Sequence, residues 1–211
     1  MATQYPKRLI EVDLPIRRIS AHARREKSIR HGHISTLHIW WARRPLAACR
    51  AVICAALWPD PVDVTEKDVQ KARKEGCDLQ PNACPPAFRE AAAKIIHQFA
   101  RAVLADNELA TAHCSPENFK RWTALAPRGF DPDTPAGQLE LRAALLDFIA
   151  DFANWDNSTT PAYLEASRAL TQAAHEALGG IPGSKPLVVD PFAGGGSIPL
   201  EALRVGADAF A

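Results

Sequence analysis

Pro186-Leu187-Val188-Val189-Asp190-Pro191-Phe192-Ala193-Gly194-Gly195-Gly196-Ser197 runs from a β-branched stretch through an acid and a glycine triplet into a helical pattern. Val188 and Val189 read as a buried strand, and Ile198-Pro199-Leu200-Glu201-Ala202-Leu203-Arg204 as the helix after the turn. Strand, acid, glycine loop and helix in that order make the first βα unit of a nucleotide-cofactor fold. Glycines let the backbone approach a ligand closely, and the helix N-terminus behind them favours a negative group. A tight turn whose glycines serve only backbone geometry is the simpler alternative. All four parts are present, which favours a cofactor loop built of Asp190, Pro191, Phe192, Ala193, Gly194, Gly195, Gly196 and Ser197.

The words around the glycines resemble motif I of S-adenosylmethionine-dependent methyltransferases that act on exocyclic amino groups of nucleic-acid bases. Gly196 is followed by Ser197, Ile198 and Pro199, so the G-x-G-x-x-G dinucleotide spacing is missing, as is the lysine of a P-loop. NAD and ATP therefore fit less well than S-adenosylmethionine.

Outward from the loop, the chain has 211 residues, of which 47% are hydrophobic, enough for one or two domains with a real core. The net charge is +1, but its distribution is uneven. Residues 1–50 carry eleven Lys/Arg against three Asp/Glu, and residues 51–211 carry fourteen against twenty-one. A basic N-terminal end is the pattern of proteins that meet a polyanion. Five cysteines (Cys49, Cys54, Cys77, Cys84 and Cys114) form no C-x-x-C pair, and with no signal peptide they suggest reduced thiols in a cytoplasm. Arg50 interrupts the longest apolar stretch, Leu46 to Leu57, so that stretch is no membrane span.

Leu9-Ile10-Glu11-Val12 reads as a short strand or docking arm. Arg17, Arg18, Arg24, Arg25, Lys27 and Arg30 then crowd a segment with no helix breaker before Gly32. A solvated helix and a phosphate-facing surface are both open for it. Next, Trp40-Trp41-Ala42-Arg43-Arg44 places rings and guanidinium groups within stacking reach, either closing the core or facing a ligand or DNA. Ala47 to Leu57 follows as an alanine-rich helix with Pro45 at its first turn.

Glu26-Lys27-Ser28, His31-Gly32-His33, Ser35-Thr36-Leu37-His38 and Trp40-Trp41-Ala42-Arg43-Arg44-Pro45-Leu46-Ala47-Ala48 resemble the N-terminal region of a bacterial and archaeal family of adenine-specific DNA methylases containing a zinc ribbon. The family often has proline where Ile34 stands. The likeness covers about residues 5–58 and again 186–211. It implies a Rossmann-like α/β fold for the whole enzyme, with this chain mostly α-helical and ending in a βα unit. It also implies DNA as partner, S-adenosylmethionine as cofactor, and a place in restriction-modification or phage defence beside other subunits. In such enzymes a segment called motif X closes over the methionine end of the cofactor, and Ser35, Thr36 and Arg44 loosely resemble it. Hydroxyls and a cation suit that carboxylate. Arg24, Arg25, Lys27, Arg30, Trp41 and Arg43 are the expected nucleic-acid contacts.

Between the two blocks the pattern is helical. The expected elements are a charged helix over Val62 to Glu75, and one over Pro85 to Asp106 with the stripe Phe88, Ala92, Ile95, Ile96, Phe99 and Val103. Three more start at Ser115-Pro116, Thr134-Pro135 and Thr160-Pro161, where a hydroxyl precedes a first-turn proline. Trp122 and Trp155 are expected to pack. The division is thus 1–60 as the basic segment, 61–183 as a helical insertion, and 184–211 as the start of the methyltransferase core. Gly206-Ala207-Asp208-Ala209-Phe210 reads as the turn into a second strand. The family's catalytic tetrapeptide (Asn/Asp/Ser-Pro-Pro-aromatic) is absent, as is the ribose-binding acid usually found about 20 residues past the loop. The expectation is an N-terminal portion of a DNA adenine-N6 methyltransferase with no catalytic residue of its own. An RNA guanine-N2 methyltransferase and a non-catalytic DNA-binding module are the alternatives.

Overall fold

The computed structural model describes residues 5–28 and 44–211. The expected contacts Arg30, Ser35, Thr36, Trp41 and Arg43 lie outside these residues.

The chain is mostly helical, with a small two-stranded parallel sheet. Its central helix, α2 (Leu46–Leu57), is built for burial on nearly every side. Ala47, Ala51 and Ala55 let neighbours approach closely, while Ile53 and Cys54 fill the space between. Pro45 stands at its N-cap in an extended conformation, one position earlier than expected. Around α2 pack α1 (Ile16–Ser28), α7 (Pro135–Phe152), α8 (Pro161–Ala177) and α9 (Ser197–Arg204). Leu9 sits in a 3-10 turn, Leu9–Glu11, whose N–H reaches the Trp58 carbonyl at 3.1 Å, so the N-terminal arm docks without forming a strand.

The second layer is α4 (Pro86–Ala105) lying along α8. The predicted stripe Phe88, Ala92, Ile96, Phe99 and Val103 is buried, with Ile95 at its margin. Phe99 is the hub of an aromatic cluster, with ring centroids 4.8 Å from Tyr163, 4.9 Å from Phe148 and 5.4 Å from Trp122. Trp122 is fully buried, as expected of a packing residue. One hydrophobic cluster runs from Leu9 to Ala207 through all three expected stretches.

Some expected boundaries move. The charged helix α3 is Glu66–Lys74, not Val62 onward, because Thr65 caps it in a capping box with Asp68 while Val64 pairs with Asn82 in an isolated bridge. After the short helix α5 (Asn107–Ala112), α6 (Pro116–Leu125), α7 and α8 all carry proline in the first turn, but only Thr134 caps through its hydroxyl. Ser115 Oγ accepts from Arg18 instead, and Thr160 Oγ donates to the Asp156 carbonyl.

At the C-terminal side, β1 (Leu187–Val189) pairs in parallel with β2 (Asp208–Phe210) around α9, the second strand falling where the turn at Gly206 placed it. The reading of Val188-Val189 as a buried strand is corrected. Alternate residues of a strand face opposite sides. Val188 and Ala209 therefore pack inward, while Leu187, Val189 and Phe210 are 62%, 56% and 68% exposed.

Candidate functional site

The glycine loop leaves the carboxyl end of β1. Asp190 N–H donates to the Phe210 carbonyl at 2.9 Å, so the loop starts in register with β2. The half-buried Asp190 then turns the chain, its Oδ1 accepting the Phe192 N–H at 3.1 Å. Gly194 and Gly196 have φ of 52° and 72°, left-handed values that other residues rarely adopt. Among the described residues, a Cβ at Gly196 would meet nothing within 4 Å, and at Gly194 only the Phe192 carbonyl at 3.8 Å. Gly194 and Gly196 are thus required by backbone angle, not by crowding from any described residue. Phe192 is 91% exposed, Pro191, Gly194 and Gly195 are exposed, and Ala193 is half-buried.

Gly196 is the N-cap of α9 and has no side chain to satisfy the N–H groups of the first turn. Ser197, the first helical residue, is buried and donates its hydroxyl to the main-chain carbonyl of Arg44 at 2.9 Å. That bond spans 153 residues and brings the expected motif X residue Arg44 to the expected motif I loop. Arg44 itself is exposed.

A second link lies one turn deeper. Arg50 of α2 and Glu201 of α9 are both fully buried, and Arg50 Nε donates to Glu201 Oε2 at 2.6 Å. Glu201 Oε1 accepts from Arg204 Nε at 3.1 Å. Arg50 Nη1 donates to the carbonyls of Phe152 and Asn154, and its guanidinium carbon lies 5.0 Å from the Phe152 ring centroid. Cys49 sits in this neighbourhood. Burial pushes its thiol up to about 11; Glu201, Glu26 and Asp190 push the same way and Arg44 opposes them. It is a protonated packing residue at neutral pH, not a nucleophile.

The expected nucleic-acid face fares differently. Arg18, in the basic segment with few local acids, bonds Asp147 at 2.7 Å and Asp151 at 2.8 Å, both on α7. Arg25 pairs with Asp156 at 2.9 Å. The acids come from more than 120 residues away, so a local charge count missed them. Arg24 and Lys27 are exposed on the same helix.

Sequence reading passed over Arg50, Glu201 and Glu26 as site residues. A charge inside an otherwise apolar helix was the available signal for the first two, since such a charge has to find a partner. Among the described residues no His, Cys, Asp and Glu group suits a metal ion, Cys84 being buried and Cys77 exposed. No helix there is long and apolar enough to cross a membrane.

No curated protein matches the chain, and no solved structure matches it. Residues 13–78, from α1 through α3, are similar to a family described as "Protein of unknown function (DUF1156)".

Proposed function

We propose that this chain forms part of the S-adenosylmethionine site of a Rossmann-like DNA methyltransferase acting on the adenine N6 amino group. The observation that carries the reading is the join between Arg44 and Ser197, because it assembles two distant sequence blocks at the carboxyl end of a parallel βαβ unit. That is where open α/β sheets bind their ligands.

The residues suit the cofactor. The first turn of α9, with no side chain at its N-cap, offers the Ser197 and Ile198 N–H groups and a positive dipole end to a carboxylate, with Arg44 joined to the same turn. Asp190, fixed by its own turn, offers a carboxylate oxygen to ammonium or hydroxyl groups. Gly194 and Gly196 keep side-chain bulk out of the approach. When bound, S-adenosylmethionine supplies an electrophilic methyl group. The chain's own contribution is orientation, which can lower a barrier by several kcal/mol (~7 or more) when the reacting atoms are well aligned. The groups that grip the base are not assigned to this chain, and the target base would be turned out of the duplex to meet them.

Calorimetric titration with S-adenosylmethionine tests the site. Wild type binds, and Gly196→Val, which forces a β-branched residue to positive φ, weakens binding at least about tenfold. Absence of binding by the full polypeptide overturns the reading. A tritiated-methyl assay on the full polypeptide then separates substrates. Label in DNA supports the proposal, and label in tRNA or rRNA but not DNA overturns the choice of DNA.

A further inference from the structure

Of the three acids in the first fifty residues, Glu26 alone is buried, at 2% exposure near the end of α1. A carboxylate taken from water is costly unless its oxygens are matched. Each of them is. Glu26 Oε1 accepts the Leu46 N–H at 3.0 Å and Oε2 accepts the Ala47 N–H at 3.0 Å. These are first-turn donors of α2, and a serine or aspartate at the N-cap would ordinarily satisfy the second of them. Pro45 occupies that position and has no side chain able to do so. The cap is instead supplied from α1, and with it the helix-dipole complement.

The start of α2 is therefore set by α1, and the same point carries the glycine loop. Arg44 lies two residues before Leu46, and its carbonyl holds Ser197 Oγ at 2.9 Å. We propose that Glu26 is a positioning residue of the glycine loop: it locates the start of α2, and through the Arg44 carbonyl and Ser197 it locates the first turn of α9. The mechanical part stands on the geometry alone, and its consequence for ligand binding rests on the cofactor reading above.

The test uses the full polypeptide with Glu26→Gln and Glu26→Ala, and Asp60→Asn as control. Asp60 is an equally buried acid, paired with Arg142 at 2.7 and 2.6 Å and bonded otherwise to Lys7, Val62 and Asn82 rather than to the start of α2 or to α9. Hydrogen exchange is followed over residues 46–50 and 197–201, the latter including the Leu200 N–H bonded to Gly196. Both segments exchange faster in the Glu26 variants, and S-adenosylmethionine affinity falls about tenfold, equivalent to about 1.4 kcal/mol. Asp60→Asn lowers Tm and moves neither readout. If Glu26→Ala fails to fold, the milder Glu26→Gln, which keeps one acceptor, carries the comparison. Unchanged exchange over 197–201 in a Glu26 variant with a lowered Tm overturns the proposal. A wild type that binds no S-adenosylmethionine, together with Glu26-dependent exchange, overturns the cofactor reading and leaves the positioning role standing.

Discussion

A guanidinium without surrounding water has to be matched donor by donor, and Arg50 is matched at three of its five N–H groups, by Glu201, Phe152 and Asn154. Its Nη2 is buried with no hydrogen-bond partner among the described residues. Such a pair adds little net stability over a well-packed apolar pair, yet removing one partner strands a buried charge. Glu201→Gln is expected to cost about 3 kcal/mol or more in urea denaturation, and Arg50→Met with Glu201→Leu together much less. His22 gives a pH test at the same scale. Burial lowers its pKa below the ordinary 6.5; Asp151 and Asp156 oppose the shift and Arg18 and Arg25 add to it. The unfolded chain then takes up the proton first, so this contribution is fully present above pH 6.5 and is lost as pH falls below that value. Thermal melts at pH 7.5 and 5.5 should show a smaller drop for His22→Gln than for wild type. Equal drops would assign the effect to another group.

At the level of the element, helix starts were legible where a hydroxyl precedes a first-turn proline, because proline tolerates only that part of a helix. What the hydroxyl then does was not legible. Thr134 accepts the Gly137 N–H at 3.2 Å, whereas the Ser115 hydroxyl answers to Arg18 and the Thr160 hydroxyl to a carbonyl. Thr134→Ala should therefore cost about 1 kcal/mol, and Thr160→Ala less, as a shift in urea midpoint at constant slope. The glycine loop was legible as a βα turn from its order of residue types. Glu26 was not, since its partners are main-chain N–H groups twenty residues on, and no side-chain pattern marks them. Burial of β1 was overread for a related reason. Three apolar residues in a row suggest two covered faces, yet whether a face is covered is decided elsewhere in the chain, and here only the Val188 side is.

For the whole molecule, the continuous cluster from Leu9 to Ala207 predicts a single cooperative transition, with tryptophan fluorescence from Trp58 and Trp122 coinciding with circular dichroism. Phe99→Ala, at the centre of the aromatic cluster, should lower stability by about 3–5 kcal/mol. The helical middle and basic N-terminal end were readable from period and charge, but the pairing of α1 with acids on α7 arises only when the chain closes. The bare side of the sheet has a practical consequence. Leu187 and Val189 on β1, with Phe210 opposite Val189, form a water-facing apolar patch beside Asp208. Such patches make protein molecules attract one another weakly, more so in salts that are excluded from protein surfaces. Light scattering of the chain should give a negative second virial coefficient that grows with ammonium sulfate, and Phe210→Lys should move it toward positive values.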